Sequence, residues 1–244
     1  VQLCDVRQLR HAAAFFHAGA FAALRSCGDV ICWGEACCGG DASRVEKQLT
    51  DVEALQSTSH AFAALRADGQ VLAWGDPQCG GSCEVLEEVQ CIQAAEKAFA
   101  ALRRDGSVVC WGDCSKGGDC SKVRHQLQDV RQIQAASAAF AALRSDGSVI
   151  TWGDSAGGGD SHLVQGELQQ VSCIQSSASA FAALRADGSV VTWGDSCRGG
   201  DCRVQAKLQE VVAIQSTASA FAAVTQSGRC VAWGDAQRGG DCQA

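Results

Sequence analysis

Apolar runs alternate with polar, glycine-rich segments along the whole chain. The unit is clearest over residues 181–202, FAALRADGSVVTWGDSCRGGDC, where two apolar runs flank an Asp-Gly pair and a Gly-Gly-Asp loop follows. Asp-Gly between two such runs is a strong hairpin signal, because glycine adopts the positive φ that the turn requires. A third run precedes each AFAALR segment, as in LQDVRQIQ at residues 127–134. The pattern predicts an antiparallel meander of three strands per unit, and it leaves open a fourth short strand after the Gly-Gly-Asp loop.

The unit repeats at a nearly fixed period. The Trp-Gly pairs begin at Trp33, Trp74, Trp111, Trp152, Trp193 and Trp233, which gives spacings of 41, 37, 41, 41 and 40 residues. The short step follows from a missing piece after Cys83, where the equivalent of VRHQLQ (residues 123–128) is cut down. A period in this range indicates a repeat architecture.

Neither face of the predicted strands is polar. In the run Ala61–Leu65, Phe62 and Ala64 point to one face while Ala63 and Leu65 point to the other. Such strands need cover on both sides, which sheets stacked around an axis provide. We therefore predict an all-β fold, a six-bladed β-propeller of ~41-residue repeats in one domain over residues 1–244. The first and last repeats share one blade, and pairing of the N- and C-terminal segments closes the ring.

The order of a strand, AFAALRxDG, SVxxWGD and xxxGGD resembles the repeat of the regulator of chromosome condensation family. The resemblance covers essentially the whole chain in six in-phase copies, and it implies propeller blades. The family repeat usually has a histidine before its second strand, and only one repeat of this chain has it, at His60. The loop ends in Gly-Gly-Asp where the family has Gly-x-Leu-Gly. Among activities, the resemblance implies guanine-nucleotide exchange on a small GTPase or substrate binding within a larger ubiquitin ligase.

Composition narrows the choice of partners. The chain has 27 acidic and 20 basic residues and a formal net charge of −7, with no basic stripe, so we expect no nucleic-acid binding. There is no apolar run of 18 residues and no signal-peptide pattern, so we expect no direct membrane insertion. The first residue is Val1 and no Met occurs, which we interpret as a processed chain or a segment of a longer one. The compartment is unknown from the sequence.

The chain contains 16 cysteines, whose positions follow the repeat. One interpretation is that Cys serves as a small residue interchangeable with Ser, Thr and Ala. The other is that loop pairs close local disulfides, with Cys79/Cys83, Cys114/Cys120 and Cys197/Cys202 as the candidates. No CxxC pair occurs, so we predict no zinc site and no other metal site.

Charged residues also follow the repeat and fall at the two ends of the third strand. At the Trp-Gly-Asp end we predict an acidic, partner-binding face made of Glu35, Asp76, Asp113, Asp154, Asp195, Asp235, Asp41, Asp119, Asp160, Asp201 and Asp241. At the other end, Arg25, Arg66, Arg103, Arg144 and Arg185 stand beside the turn aspartates. Each Asp is also explained by turn chemistry alone. Together, the carboxylates produce a negative field suited to a basic partner or divalent cations.

Neither GxxxxGK[ST] nor HExxH occurs in the sequence. We therefore expect a chain that is not an enzyme and needs no cofactor. The favoured function is a protein-protein interaction platform or a subunit of a larger assembly. Two alternatives stay open: a guanine-nucleotide exchange factor for a small GTPase, and the substrate-binding propeller of a larger ubiquitin ligase.

Overall fold

The computed structural model describes residues 6–13, 19–201 and 208–242. These residues form six three-stranded antiparallel sheets, which we call blades 1 to 6 in chain order. The chain divides into two compact units, Val1–Asp119 with blades 1 to 3 and Cys120–Ala244 with blades 4 to 6. The strands of the first unit are β1 (Val6–Ala13), β2 (Gly19–Arg25), β3 (Val30–Gly34), β4 (Val52–Ser57), β5 (Ala61–Arg66), β6 (Val71–Gly75), β7 (Val89–Ala94), β8 (Ala98–Arg103) and β9 (Val108–Gly112). Those of the second unit are β10 (Val130–Ala135), β11 (Ala139–Arg144), β12 (Val149–Gly153), β13 (Val171–Ser176), β14 (Ala180–Arg185), β15 (Val190–Gly194), β16 (Val211–Ser216), β17 (Ala220–Thr225) and β18 (Cys230–Gly234).

Each blade turns between its second and third strands at the predicted Asp-Gly or Ser-Gly pair, or at the Gly28 position of blade 1. In blade 2, the Gly69 amide donates to the Arg66 carbonyl at 2.9 Å, and the Arg66 amide donates to the Gln70 carbonyl at 2.9 Å. Gly69 has φ 82°, and the glycines at the same position of the other blades have φ between 80° and 88°. Glycine adopts this region without the steric penalty of a side chain. The hairpin prediction is confirmed.

The second strand of each blade is buried on both faces. In β5, the residues from Ala61 to Leu65 are at most 5% exposed. One face, with Phe62 and Ala64, belongs to an apolar cluster shared with blade 1. The other face, with Ala63 and Leu65, belongs to a cluster shared with blade 3. Blade 5 is packed in the same way between blades 4 and 6. Within each unit, a blade therefore supplies half of a core that its neighbour completes, as the lack of a polar face predicts.

Within each unit, an aromatic pair and a glycine join a blade to the one before it. In blade 2, the Phe62 and Trp74 rings stack with their centroids 5.4 Å apart. The Trp74 indole N–H donates to the carbonyl of Gly39, in the loop of blade 1, at 3.0 Å. A Cβ on Gly39 would lie 2.7 Å from the Phe62 ring, so only glycine fits this position. The same bond links Trp111 to Gly80 in the first unit, and Trp193 to Gly158 and Trp233 to Gly199 in the second.

The segments after the Gly-Gly pairs of blades 1 to 4 are irregular connections, so the fourth strand is not formed in the described residues. Only Val71 and Leu86 pair there, as an isolated antiparallel bridge. The helical segments of the described residues are 3-10 turns of three residues, and none is long and apolar enough to cross a membrane. They are Ala36–Cys38, Glu46–Gln48, Pro77–Cys79, Cys114–Lys116, Ser155–Gly157, Ser196–Arg198 and Ala236–Arg238.

The predicted closure of the ring rests on the two chain ends. Residues 1–5 and 243–244 lie outside the described residues. Pairing of these ends, and a single closed domain over residues 1–244, therefore stay predictions.

Candidate interaction surfaces

The Trp-Gly-Asp end of every blade carries a loop with a constant backbone, which we call the capped loop. The residue after the strand has φ between −65° and −69° in all six blades, and a 3-10 turn of three residues follows it. The turn ends at a glycine with φ between 90° and 103°. The next glycine has no room for a side chain either, since a Cβ on Gly81 would lie 2.3 Å from the Gly75 backbone.

Five of the eleven predicted acidic residues cap these turns. One carboxylate oxygen accepts the amide N–H two residues later, at 2.9 to 3.2 Å, in Asp76, Asp113, Asp154, Asp195 and Asp235. Asp41 and Asp160 do the same for Ser43 and His162, at 2.8 and 2.9 Å. Glu35 makes no such cap. The aspartates at these positions therefore have a structural role in turn formation, whatever else they do.

Capping lowers the pKa of two of these carboxyl groups. The hydroxyl of Ser115 lowers the pKa of Asp113, and the amide of His162 lowers that of Asp160. Two of the other carboxylates have a cationic neighbour, since Arg198 lies 3.7 Å from Asp195 and Arg238 lies 3.5 Å from Asp235. Asp119, Asp201 and Asp241 lie at the ends of their loops, after the Gly-Gly pairs. Whether the series binds a basic partner stays a prediction.

The residues that end the turns of the capped loops differ from blade to blade; the first of each pair is exposed, whereas the second is buried where it is Cys38, Cys79 or Gly157. The last two residues of the turns are Cys37-Cys38, Gln78-Cys79, Ser115-Lys116, Ala156-Gly157, Cys197-Arg198 and Gln237-Arg238. In the second unit, a pocket of about 250 Å³ opens beside one of these loops, lined by Asp160, His162 and Trp193 among others. Leu163, at its edge, is 85% exposed. The loops thus combine one backbone with variable surface chemistry.

The predicted disulfide partners are found in different environments. Cys79 and Cys83 are free thiols, so the 79/83 bridge is not formed here. The Cys79 Sγ lies 3.8 Å from the His60 Nδ1 and 3.5 Å from the Asp76 Oδ2. Burial raises the pKa of Cys79, and it raises that of Cys83 to about 11. Protonated thiols of this kind are poor nucleophiles for disulfide exchange.

The other two pairings are not formed either, or lie partly outside the described residues. Cys114 is an exposed free thiol while Cys120 is buried, so no 114/120 bridge is present. Cys197 is an exposed free thiol, and Cys202 lies outside the described residues. Cys32 shows the other role predicted for cysteine, since it packs against the core and burial raises its pKa to about 12.

At the opposite end of the blades, the turn arginines hold the hairpin to the segment that precedes it. Arg66, Arg144 and Arg185 each form an ion pair with the turn aspartate, at 3.0, 2.9 and 3.2 Å. Each also donates its Nε–H to a backbone carbonyl 16 residues earlier: Arg66 to Thr50 at 3.2 Å, Arg144 to Gln128 at 3.0 Å and Arg185 to Gln169 at 3.1 Å.

Arg103 in blade 3 differs from these three arginines. Its Nε is buried and has no hydrogen-bond partner among the described residues. A surface pocket of about 240 Å³ lies beside it, lined by Val85, Glu87, Glu88, Arg103 and Asp105. The connection that precedes β7 in this blade is the one shortened after Cys83, and it contains Glu87, whose carbonyl occupies the position that accepts the Nε–H in blades 2, 4 and 5.

The structure shows no clustered metal site. Within residues 6–13, 19–201 and 208–242, no three His, Cys, Asp or Glu side chains are arranged to hold a metal ion. His60 bonds to Ser59 at 2.8 Å, and His125 contacts Gln126 at 3.3 Å.

Sequence comparisons give no family. No protein-family model matches the chain, and no curated protein matches it.

Solved structures do share the fold. Human WBSCR16 matches with a TM-score of 0.56 at 17% identity, over 93% of this chain and 76% of that one. Prp20p from Saccharomyces cerevisiae, the yeast RCC1, matches with a TM-score of 0.54 at 17% identity, over 92% of this chain and 71% of that one. The ectodomain of the receptor kinase CR4 from Physcomitrella patens matches with a TM-score of 0.58 at 16% identity, over 94% of this chain and 64% of that one. At these identities the likeness shows the fold alone, an all-β chain with blades of the β-propeller type.

Proposed function

We propose that this chain is a non-catalytic protein-protein interaction platform, acting as a subunit of a larger assembly. The observation that carries the proposal is the contrast within the capped loops. Their backbone is the same in all six blades, whereas the pair of residues that ends each turn differs from blade to blade, and the first residue of each pair is exposed in all six. A rigid backbone with variable side chains is suited to recognition, because little conformational entropy is lost on binding.

Charge and the structural neighbours support the same proposal. The capped loops carry carboxylates, and hydrogen bonds lower the pKa of two of them, Asp113 and Asp160. A negative field of this kind steers basic partners toward the surface. Among the solved structures of similar fold, yeast RCC1 was determined bound to Kap60, and Prp20p was described with its binding to Gsp1p and histones.

The experiment that tests the proposal is affinity purification of the chain from its native source at low salt, followed by mass spectrometry. Three variants change only displayed residues, replacing the pairs Ser115-Lys116, Cys197-Arg198 or Gln237-Arg238 by the Ala-Gly pair that blade 4 carries. We expect at least one variant to lose a stably bound protein while its thermal unfolding midpoint is unchanged. Gly166→Ala is the control, because a Cβ there has nothing within 4 Å. Recovery of no partner, or equal recovery by all variants, contradicts the proposal.

Guanine-nucleotide exchange is the second candidate, and the fold shared with yeast RCC1 is the observation that favours it. Its test is the release of labelled GDP from a panel of small GTPases with and without the chain. Substrate binding within a larger ubiquitin ligase has no separate observation in its favour and stays a prediction from the resemblance.

A further inference from the structure

The capped loop of blade 1 carries two adjacent cysteines, Cys37 and Cys38, as the last two residues of its 3-10 turn. Their Sγ atoms lie 3.8 Å apart. Successive side chains of a 3-10 turn point about 120° apart, so this distance means that the two side chains turn toward each other. A disulfide bond is about 2 Å long, so a further approach of about 1.8 Å joins the two sulfur atoms.

The two thiols differ in exposure. Cys37 is exposed, and its thiol donates to the Glu35 Oε1 at 3.8 Å. Cys38 is 0% exposed and belongs to the core that blade 1 shares with blade 2, together with Phe62 and Trp74. Burial raises the pKa of Cys38 to about 11, so this thiol is protonated at neutral pH and reacts slowly with reagents in solution. A reagent therefore meets Cys37 first, and the Cys38 thiol lies directly behind it.

The loop of blade 1 lacks a hydrogen bond that holds its counterparts. In blades 2 to 6, an aspartate carboxylate accepts the amide N–H two residues later, whereas Glu35, at the same position, makes no side-chain cap. The amide that such a cap would hold is that of Cys37. Without this bond, less free energy is needed to move Cys37 toward Cys38.

We propose that Cys37 and Cys38 form a modification site, at which a low-molecular-weight disulfide, R–S–S–R, converts the two thiols into a disulfide between adjacent residues. This modification goes beyond the interaction-platform function and does not depend on it.

The reaction takes two thiol-disulfide exchange steps. In the first, the Cys37 sulfur attacks one sulfur of R–S–S–R, the S–S bond of the reagent breaks, a mixed disulfide of Cys37 with R–S forms, and one R–SH leaves with the proton of Cys37. In the second, the Cys38 sulfur attacks the Cys37 sulfur, the mixed disulfide breaks, and a second R–SH leaves with the proton of Cys38. The two cysteines are oxidised, and one reagent disulfide is reduced to two thiols. The second step is intramolecular, which offsets the low reactivity of the buried thiol.

We expect the bridge to be easily reduced. The Cα atoms of adjacent residues lie about 3.8 Å apart across a trans peptide, below the range of about 4.4 to 6.8 Å that is usual for disulfides. A deviation of this kind strains the bond and makes it more reducible. Closing the gap also shifts Cys38 within the shared core, next to Gly39, whose carbonyl accepts the Trp74 indole N–H at 3.0 Å. The site therefore suits a reversible change at the junction of blades 1 and 2.

The test is oxidation of the fully reduced full chain by glutathione disulfide. Free thiols are then blocked with N-ethylmaleimide, and the chain is cut after Arg and Glu with trypsin and Glu-C. The fragment of residues 36–44, ACCGGDASR, contains Cys37 and Cys38 and no other cysteine. Mass spectrometry distinguishes a fragment with two blocked thiols, one with an unlabelled bridge and one with glutathione attached. We expect the bridge to be the main product and to reopen when reduced glutathione is added in excess.

Two variants and one control separate the roles of the thiols. In Cys38→Ala, the glutathione adduct of Cys37 should be about tenfold more abundant than in the unchanged chain, because no intramolecular thiol competes with free glutathione. In Cys37→Ser, neither bridge nor adduct should form in the fragment, since Cys38 is buried. This variant changes an exposed side chain, so it tests the proposal even if Cys38→Ala fails to fold. Cys79→Ala, the matched control at the same loop position of blade 2, should leave oxidation of the fragment unchanged.

Three results overturn the proposal. The first is a glutathione adduct as abundant in the unchanged chain as in Cys38→Ala, which shows that the second thiol does not react. The second is a bridge from Cys37 or Cys38 to a different cysteine, which appears as two linked fragments. The third is a fragment that stays fully blocked at every concentration of glutathione disulfide. The platform function is tested separately, because recovery of a native partner is measured on the reduced chain.

Discussion

The two ends of the blades differ in how regularly their side-chain-to-carbonyl hydrogen bonds recur from blade to blade. At the Trp-Gly-Asp end, the indole-to-glycine bond is present at both described junctions of each unit, at 3.0 to 3.1 Å. At the Asp-Gly end, the arginine-to-carbonyl bond is present in blades 2, 4 and 5 and missing in blade 3. The first kind of bond joins two blades and is set by glycines inside the repeat, whereas the second depends on the connection outside it.

The comparison indicates where such a repeat tolerates change. A deletion within the strands or the capped loop breaks packing on two blades at once, because each core is shared. With the shortened connection, Leu86 and Val89 are still in the core, while the Arg103 Nε has no hydrogen-bond partner in the described residues. Local variation in the connections therefore changes the surface without changing the blades.

The largest predicted loss of stability is at the Trp-Gly-Asp end of the blades. Gly80→Ala should destabilise the chain by about 3 kcal/mol, because Gly80 has φ 90° and an added Cβ would meet the Phe99 ring at 2.6 Å. Gly228→Ala is the matched control, since its φ is 81° but nothing lies within 4 Å, and we expect about 1 kcal/mol. Urea denaturation measures both. Equal losses would show that backbone conformation alone, and not the Phe99 contact, makes this end uniform.

At the Asp-Gly end we expect a smaller loss of stability, and only in blades where the arginine Nε–H bonds to a carbonyl. Arg144→Lys should lower the free energy of unfolding by about 1 kcal/mol, because the Nε–H bond to Gln128 is lost. Arg103→Lys should change it little, because its Nε has no partner among the described residues. Urea denaturation of both variants measures the difference. The same loss in the two variants would mean that Arg103 has an acceptor after all.

The smallest predicted effect is a change in aspartate pKa at the Asp-Gly turns, which are alike in blades 3 and 4. The Ser107 and Ser148 hydroxyls are the first cause of the lowered pKa of Asp105 and Asp146. Ser107→Ala and Ser148→Ala should each raise the pKa of the adjacent aspartate toward its ordinary value of 3.8, by similar amounts. NMR titration of the carboxyl carbons measures this, and clearly unequal shifts would show that the turns differ.

The lowered pKa values of Asp105 and Asp146 also determine how the stability of the fold changes with pH. A folded-state pKa below that of the unfolded chain contributes stability above about pH 3.8, and this contribution is lost as the pH falls through the lowered folded-state pKa. In both serine variants the loss of stability on acidification should therefore be shallower than in the unchanged chain.

The hairpins and the shared core could be predicted from the sequence, because local rules decide them. The Asp-Gly turn and the doubly apolar AFAAL run determined the hairpins and the shared core, and both are confirmed. The roles of the loop residues could be predicted less completely. Position alone does not distinguish an aspartate that caps a turn from one that binds a partner, and the structure shows the capping role of Asp76 and its counterparts. The fourth strand is not formed in the described residues, because the connection turns after the Gly-Gly pair.

Two other features depend on distances that a repeat pattern does not contain. The spacing of Cys79 and Cys83 matched a local disulfide, but the two thiols lie in separate contacts, one beside His60 and the other in the core near Ala73. The shortened connection was visible in the sequence. Its consequence for Arg103 was not, because it depends on the direction of a single carbonyl.

The most direct test of the account restores the missing segment. Replacing residues 83–88 by the ten residues 161–170 of the full-length connection between blades 4 and 5 adds the four residues that the 37-residue step lacks. Hydrogen exchange of the Arg103 Nε–H is then measured by NMR in the unchanged chain and in the graft. We predict that exchange slows in the graft to the rate of Arg66 and Arg185. Unchanged exchange would contradict the claim that the short connection leaves the Arg103 Nε–H without an acceptor.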